Sequence, residues 1–585
     1  MSSQASAQKA LTGAEKSGLR LAIERAESGS WLSSPSVEQR REAGLIFLRA
    51  EGYYGATIDV IEGGDENIPN RSDGFLLGVP DEERQLFVRT GQQFKIRSAT
   101  VNILGPSSSS FDAARTQATD LADKLIASPA RSSDVLRTQS QALVAVREAG
   151  FTGAEDQYPD IVVDHATATM AITYNVSSGP LTLLSGVTAA GAVATPAGWV
   201  IKAAAISNGT VATGERVRRV AERFRLMGAY QNVDVSLAPV QPINETQNST
   251  ALLLTLQERT NRIWSAGAEW STSDGLGVDA STSFFHRLHQ ADTLTLDGRI
   301  GTLESSLGAS LRLPSFKGPS RDLYLEARAG QETNDAFDRL IARLGATYAI
   351  PKGRKDLLTY GLGLDITRTS TPMSVRAGLI ANDVDGADAS FLIRYERDRA
   401  DDVLNPTRGW RAQGEIQPSV FAGDGQTIPY GRIIVSGSIY RPFSALPNGV
   451  FAARLKAGAL ITSDERLPFD RRFFAGGGGS VRGYAFQSIG PRDLDDNPIG
   501  GRSVVEGAIE ARWSLRGPFG IAVFADAARV GAFTGTNSQQ TKVGVGVGLR
   551  YDLGLAPLRI DLAVPLNKRD GDPPVQLYLS AGQSF

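Results

Sequence analysis

Two periodicities divide this chain. From about Arg262 onward apolar and polar residues alternate with a period of two, whereas the roughly 260 residues before it mix helix-period runs with short extended segments. In the second part Val543, Val545, Val547, Leu549, Tyr551 and Leu553 alternate with Lys542, Gly544, Gly546, Gly548, Arg550 and Asp552. Leu558, Ile560, Leu562, Val564 and Leu566 alternate with Arg559, Asp561, Ala563 and Pro565, and Leu358, Tyr360, Leu362, Leu364 and Ile366 alternate with Thr359, Gly361, Gly363, Asp365 and Thr367. Side chains of a strand point alternately to its two faces, so each run carries one aliphatic face and one face of glycine and charge. Strands of ten to twelve residues match a tilted crossing of the hydrocarbon layer. At about twenty residues per strand and connection, the stretch from Arg262 to Phe585 holds about sixteen strands, an even number as in bacterial single-chain barrels. The expected fold is therefore a set of α+β modules followed by an all-β, 16-stranded antiparallel transmembrane barrel over residues 261–585. Its lipid face is aliphatic and its lumen polar. Trp264, Trp270, Trp410 and Trp513 fall on the lipid-facing parity, where interfacial girdles use tryptophan.

Before the barrel, three helix-like runs end in an aromatic residue and a glycine: Phe47 to Tyr54 around Gly52, Val146 to Phe151 around Gly150, and Phe224 to Tyr230 around Gly228. Each glycine suits a left-handed helix C-cap. Strand-like lead-ins recur at Ala99 to Gly105 and Leu181 to Gly186. The expected modules are 1–96, 97–180 and 181–260. The first lacks a lead-in strand, because only Ala10-Leu11-Thr12-Gly13 stands where one would end, and it reads as clipped.

Composition narrows the function. Cysteine is absent, which excludes disulfides and thiolate metal sites, and a net charge of −2 gives no electrostatic case for nucleic acid. No run of eighteen uncharged apolar residues occurs, so membrane crossing falls to strands. Met1-Ser2-Ser3-Gln4 opens a polar segment without a signal-peptide core, from which a start upstream, or a removed one, is expected. The histidines, His165, His286 and His289, have no nucleophile or metal-ligand spacing around them and read as turn and surface residues. No catalytic site, metal, cofactor or small-molecule substrate is expected.

With the C-terminus in the periplasm, Leu404 to Gly409 and Arg516 to Phe519 become short periplasmic turns, and the longest outer connection runs from about Thr462 to Gly501. It carries Arg471-Arg472-Phe473-Phe474-Ala475-Gly476-Gly477-Gly478-Gly479-Ser480-Val481-Arg482-Gly483-Tyr484. The glycine run lacks the lysine and helix of a phosphate loop. The segment Val481, Arg482, Gly483, Tyr484 resembles the signature of the sixth extracellular loop in outer-membrane assembly factors, the superfamily containing BamA and TamA. Asn405-Pro406-Thr407-Arg408-Gly409, the strand bearing Glu510, the element Val523-Phe524-Ala525-Asp526 and the terminal strand from Val575 resemble further parts of that family. Ala527-Ala528 departs from its frequent glycine after the aspartate. The repeated modules resemble POTRA domains, and three of them resemble the TamA type.

The resemblance implies that loop 464–501 folds inward. Parity places Glu506, Glu510 and Arg512 on the lumen side of one strand and Phe524 and Asp526 on the lumen side of the next, within reach of Arg482. It further implies an assembly or insertion factor in the outer membrane whose periplasmic modules capture nascent outer-membrane proteins, autotransporters among them, with a TamB-like inner-membrane-anchored partner. The seam between first and last strands would open at the weakly packing Gly267, Ala581 and Gly582, and Tyr578 and the terminal Phe585 would form the insertion signal. The alternative is a two-partner-secretion-type exporter that passes a protein through the lumen, and a passive porin is a third reading that leaves the modules unexplained.

Overall fold

The computed structural model describes residues 11–581 except 27–34, 63–73, 79–83, 107, 260–261, 273–274, 289, 335, 354, 371–383, 444–447, 465, 494–495, 516, 533–539 and 555–556. By contacts the chain divides into two bodies. One comprises Met1–Ala190, Ile206–Glu222 and Asp234–Thr255, and the other Gly191–Ala205, Arg223–Val233 and Leu256–Phe585.

Three small sheets precede the barrel, each accompanied in sequence by two helices. Helices Gly13–Glu24 and Val37–Ala50 both start in capping boxes, Thr12 with Glu15 and Ser36 with Gln39, which satisfy amide groups that have no partner in the first turn. They flank strands Thr57–Glu62, Arg84–Arg89 and Phe75–Gly78, paired in that order. Thr12 caps a helix and Leu11 is buried in this module's core, so no lead-in strand precedes it among the described residues. In the second sheet Lys95–Leu104 runs parallel to Thr169–Ser177, and in the third Leu181–Ala190 runs parallel to Gln247–Glu258. Gly52, Gly150 and Gly228 have φ of +94°, +110° and +75°, the left-handed conformation that ends a helix without a Cβ penalty.

Sixteen strands then close an antiparallel barrel, from Arg262–Ser271 (the first) to Gln576–Ala581 (the sixteenth). The strands used below are the sixth, Asp338–Pro351; the seventh, Asp356–Ser370; the eighth, Val384–Asp398; and the twelfth to fifteenth, Ser503–Ser514, Phe519–Gly531, Lys542–Asp552 and Pro557–Pro565. The seventh shows how alternation sorts the faces: Tyr360, Leu362, Leu364 and Ile366 are exposed on the outside, while Thr359, Asp365, Thr367 and Thr369 are buried inside. Trp264, Trp270 and Trp410 are likewise exposed outward. An aliphatic belt continuous around sixteen strands exceeds the few hundred Å² that a water-facing surface tolerates, and it is the surface a bilayer covers. No helix among the described residues is long and apolar enough to cross a membrane. Ala527 and Ala528, where a glycine was expected by resemblance, pair in unbroken register with Gly507 and Glu506.

Candidate functional site

The connection between Ile461 and Ser503 turns into the lumen. Its Leu467, Phe473, Ala475, Val481, Tyr484 and Ile489 form one buried cluster with wall residues Phe421, Ile428, Tyr430, Leu460, Val504, Ala528 and Val530. Burying that many apolar side chains gives the inward fold a driving force independent of charge.

At its centre Arg482 is 1% exposed. Its Nε and Nη2 donate to Asp526 Oδ2 and Oδ1 at 2.7 and 2.9 Å, and its backbone N–H donates to the same carboxylate at 3.2 Å. Nη1 donates to Glu510 Oε2 and to Asp561 Oδ2, both at 2.9 Å. The guanidinium lies over the Phe524 ring, 3.3 Å from its centroid, so one face is held by π electrons and the edge by carboxylates. Planar, multidentate binding of this kind is available to arginine and not to lysine. The carboxylates have further partners on the wall. Arg512 Nε donates to Glu510 at 2.7 Å, and Arg550 donates to Asp561 at 2.5 Å and to Glu510 at 3.2 Å.

Close backbone approach sets the position. Gly483 has φ +99°, and a Cβ there would come within 3.0 Å of the Val564 carbonyl carbon. On the fourteenth strand, a Cβ on Gly544 would lie 1.9 Å from the Arg482 carbonyl oxygen. The inward glycines seen in the sequence are thus the floor on which the motif rests. Gly483 N–H donates to Tyr578 Oη at 3.1 Å, and Tyr484 Oη donates to Asn567 Oδ1 at 2.7 Å. Tyr578 therefore touches the loop motif from the sixteenth strand.

A second arginine holds the other end of the loop. Arg471, in the short helical turn Phe469–Arg471, donates to Asp365 Oδ2 on the seventh strand at 3.3 Å and lies 3.9 Å from Asp388 Oδ2 on the eighth. Asp365 is also gripped in a bidentate pair by Arg343, and Asp388 accepts from Tyr430 Oη at 2.6 Å. Arg339 on the sixth strand reaches Asp470 at 3.3 Å. The loop is a strut between two parts of the wall. Parity alone marks Asp561 and Asp365 as inward-facing; nothing in the local sequence gives their depth along the barrel, and Arg471 carried no motif.

Residues 288–585, half of the chain, match the Omp85 superfamily domain. The chain belongs to the Omp85 superfamily. It is similar to the outer membrane protein assembly factor BamA of Nitratidesulfovibrio vulgaris, 24% identical over 401 residues that cover 66% of this chain and 49% of that protein. With BamA of Neisseria meningitidis it shares 23% identity over 428 residues, covering 63% of this chain and 52% of the relative. The chain thus spans about half the length of the curated relatives it matches. The crystal structure of BamA from Haemophilus ducreyi lacking POTRA domains 1–3 superposes with a TM-score of 0.64 at 18% identity, covering 84% of this chain and all of that one, a likeness of fold. An Omp85 barrel preceded by POTRA-like modules places this protein in the outer membrane with the modules in the periplasm.

The first and sixteenth strands pair at Trp270↔Leu579 and Ser271↔Tyr578, and Thr272 N–H adds a bond to Leu577 O at 3.0 Å. On their other sides Gly267 lies opposite Asp279 in its own hairpin and Ala581 opposite Leu558. Gly582 and Phe585 lie outside the described residues, as does His289.

His286 is not a surface residue. It is buried in the first periplasmic turn, its Nε2 bonds Ala229 O at 2.9 Å, and its Nδ1 lies 3.1 Å from Thr195 Oγ1. Thr195 Oγ1 also donates to Glu258 at 2.9 Å. Burial alone would raise the Glu258 carboxyl, but bonds from the Ala194 amide and from the Thr195 hydroxyl and amide outweigh it and hold the value below the usual range. His165 is exposed and packs edge-on against Phe94. A turn histidine gives no local signal that a distant segment will cover it.

Proposed function

We propose that this chain is an assembly and insertion factor for outer-membrane proteins, of the TamA type, whose periplasmic modules capture substrates and whose barrel seam admits them to the bilayer. The observation that carries the reading is the seam. Among the described residues its two strands share two register pairs, against six between the fifteenth and sixteenth strands and twelve between the twelfth and thirteenth. A short register has few hydrogen bonds to give up when an entering strand is admitted. The strut across the lumen supports the same reading over export through the lumen, since both arginine anchors would have to break to clear a path. Capture by strand addition is supported by the edge strand Asp160–Asp164 of the second sheet, where Ile161 and Val162 are exposed. Three modules and autotransporter-like substrates go with a TamB-like partner anchored in the inner membrane.

Cysteines at Trp270 and Leu579, a registered pair, test this. The oxidised, cross-linked barrel loses insertion of a reporter outer-membrane protein and recovers it on reduction. Full insertion by the locked form would overturn lateral entry, and a lumen exporter would also work when locked. Deleting the modules before Arg262 abolishes insertion on this reading, and unchanged insertion by the bare barrel would refute their part in it.

A further inference from the structure

The charges around Arg482 do not balance. Four guanidiniums, of Arg482, Arg512, Arg550 and Arg559, face three carboxylates, of Glu510, Asp526 and Asp561. Arg482, Arg512 and Arg550 each hold at least one carboxylate at hydrogen-bond distance. Arg559 does not. Its nearest carboxylate oxygen, Asp561 Oδ2 at 3.5 Å, already accepts from Arg482 at 2.9 Å, and the other oxygen of Asp561 accepts from Arg550. Arg559 is nevertheless only 8% exposed, and its Nε and Nη1 are buried without a hydrogen-bond partner among the described residues.

Opposite Arg559 in the register of the fifteenth and sixteenth strands stands Ser580, whose Oγ is also buried without a partner. Both residues line one luminal cavity of about 720 Å³, whose walls include Gly478 and Gly479 of the loop and Trp270 and Leu579 of the seam. A buried cation whose nearest carboxylate is shared with two other arginines, beside a hydroxyl with no partner among the described residues, is an arrangement that an oxyanion satisfies at once.

We propose that this corner of the lumen, built from Arg559 and Ser580, is a binding site for a phosphate group. A guanidinium fork takes two oxygens of an oxyanion in one plane. A carboxylate has then used both of its oxygens, whereas a tetrahedral phosphate still presents another to the hydroxyl on the adjacent strand. A phosphate also brings about −1.5 to −2 of charge near neutral pH, which offsets the surplus cation. The group arrives either free in the luminal water or on a lipid headgroup. The cavity meets the lipid-facing row at Trp270 and Leu579, 40% and 39% exposed, which gives the second source a route. Bound there, the phosphate ties the fifteenth strand to the sixteenth beside the seam.

The test uses the full chain in a phosphate-free neutral detergent. Inorganic phosphate is titrated against chloride at equal ionic strength, read by thermal unfolding and by ³¹P line broadening, and phosphatidic acid is compared with a phosphate-free glycolipid in mixed micelles. The expected result is a saturable phosphate-dependent rise in Tm with the wild type, weakened at least about tenfold by Arg559→Gln and less by Ser580→Ala. Arg559→Lys keeps the charge but loses the fork and falls between them. Should Arg559→Gln fail to fold, Arg559→Lys and Ser580→Ala carry the comparison. A response to phosphatidic acid alone assigns the headgroup as the source, and a response to inorganic phosphate alone assigns the free ion. Equal responses in wild type and every variant, or no response in either arm, would overturn the site.

Discussion

Consider Arg482→Ala. Glu510 and Asp561 keep wall partners, Arg512 and Arg550, but the hydrogen bonds to Asp526 from outside its own strand described above all come from Arg482. The substitution therefore strands one carboxylate in particular, at 2% exposure, where little water can replace the lost cation. Breaking a buried pair from one side costs about 3–5 kcal/mol, most of it the uncompensated charge left behind. Neutralising that charge should recover a large part. Asp526→Asn alone also destabilises, yet Arg482→Ala with Asp526→Asn should cost less than the two singles added, with a coupling of about 2–3 kcal/mol. Urea unfolding of the barrel from lipid vesicles, followed by tryptophan emission, measures all four proteins, and the exposed Trp264, Trp270 and Trp410 report on loss of the lipid environment. A coupling below about 0.5 kcal/mol would refute the claim that Asp526 depends on the loop arginine.

Three further outcomes follow from the geometry. Gly544→Val places a side chain where the Arg482 carbonyl now sits, so the barrel should form with the loop displaced and Arg482 newly open to trypsin; Gly414→Ala, in open space, is the control, and equal protection in both would count against the glycine floor. At Asp401 burial pushes the carboxyl up, but bonds from the Thr407 hydroxyl and the Arg408 and Thr407 amides bring it to about 2, below the 3.8 of a free aspartate. A depressed value contributes stability that is present above about pH 4 and is lost as pH falls through about 2, so hydrogen exchange at Thr407 and Arg408 should speed up over that window in the wild type and show no such pH step in Asp401→Asn. His286→Ala removes a buried ring that bonds Ala229 O and Thr195, and should cost about 1–3 kcal/mol and raise exchange around residues 193–195 and 229–230; His286→Gln, which retains a donor, should recover part, and unchanged exchange in the alanine variant would sink the assignment.

What sequence revealed here, and what it hid, follow one physical line. Period-two alternation is a local consequence of the pleat, so strand faces, the 16-strand architecture and the inward parity of Glu510, Phe524 and Asp526 could be read directly. Which inward residues share a depth depends on shear and register over many strands. Asp561, 79 residues from Arg482, therefore came to light with the fold, as did the Arg471 anchor 106 residues from Asp365. His286 was read as a surface turn because the segments that bury it precede the barrel in sequence.

The address of each partner of the loop motif also fixes a moment. Asp526, Asp561 and Tyr578 stand on the thirteenth, fifteenth and sixteenth strands, all made after Arg482 itself. The motif cannot find its full set of bonds until the C-terminal end of the chain has joined the wall. A barrel lacking its last two strands offers the motif Glu510 and Asp526 but neither Asp561 nor Tyr578, and a finished one supplies all four. The strut is thus a clock as well as a brace: its closure marks the point at which this protein's own construction ends.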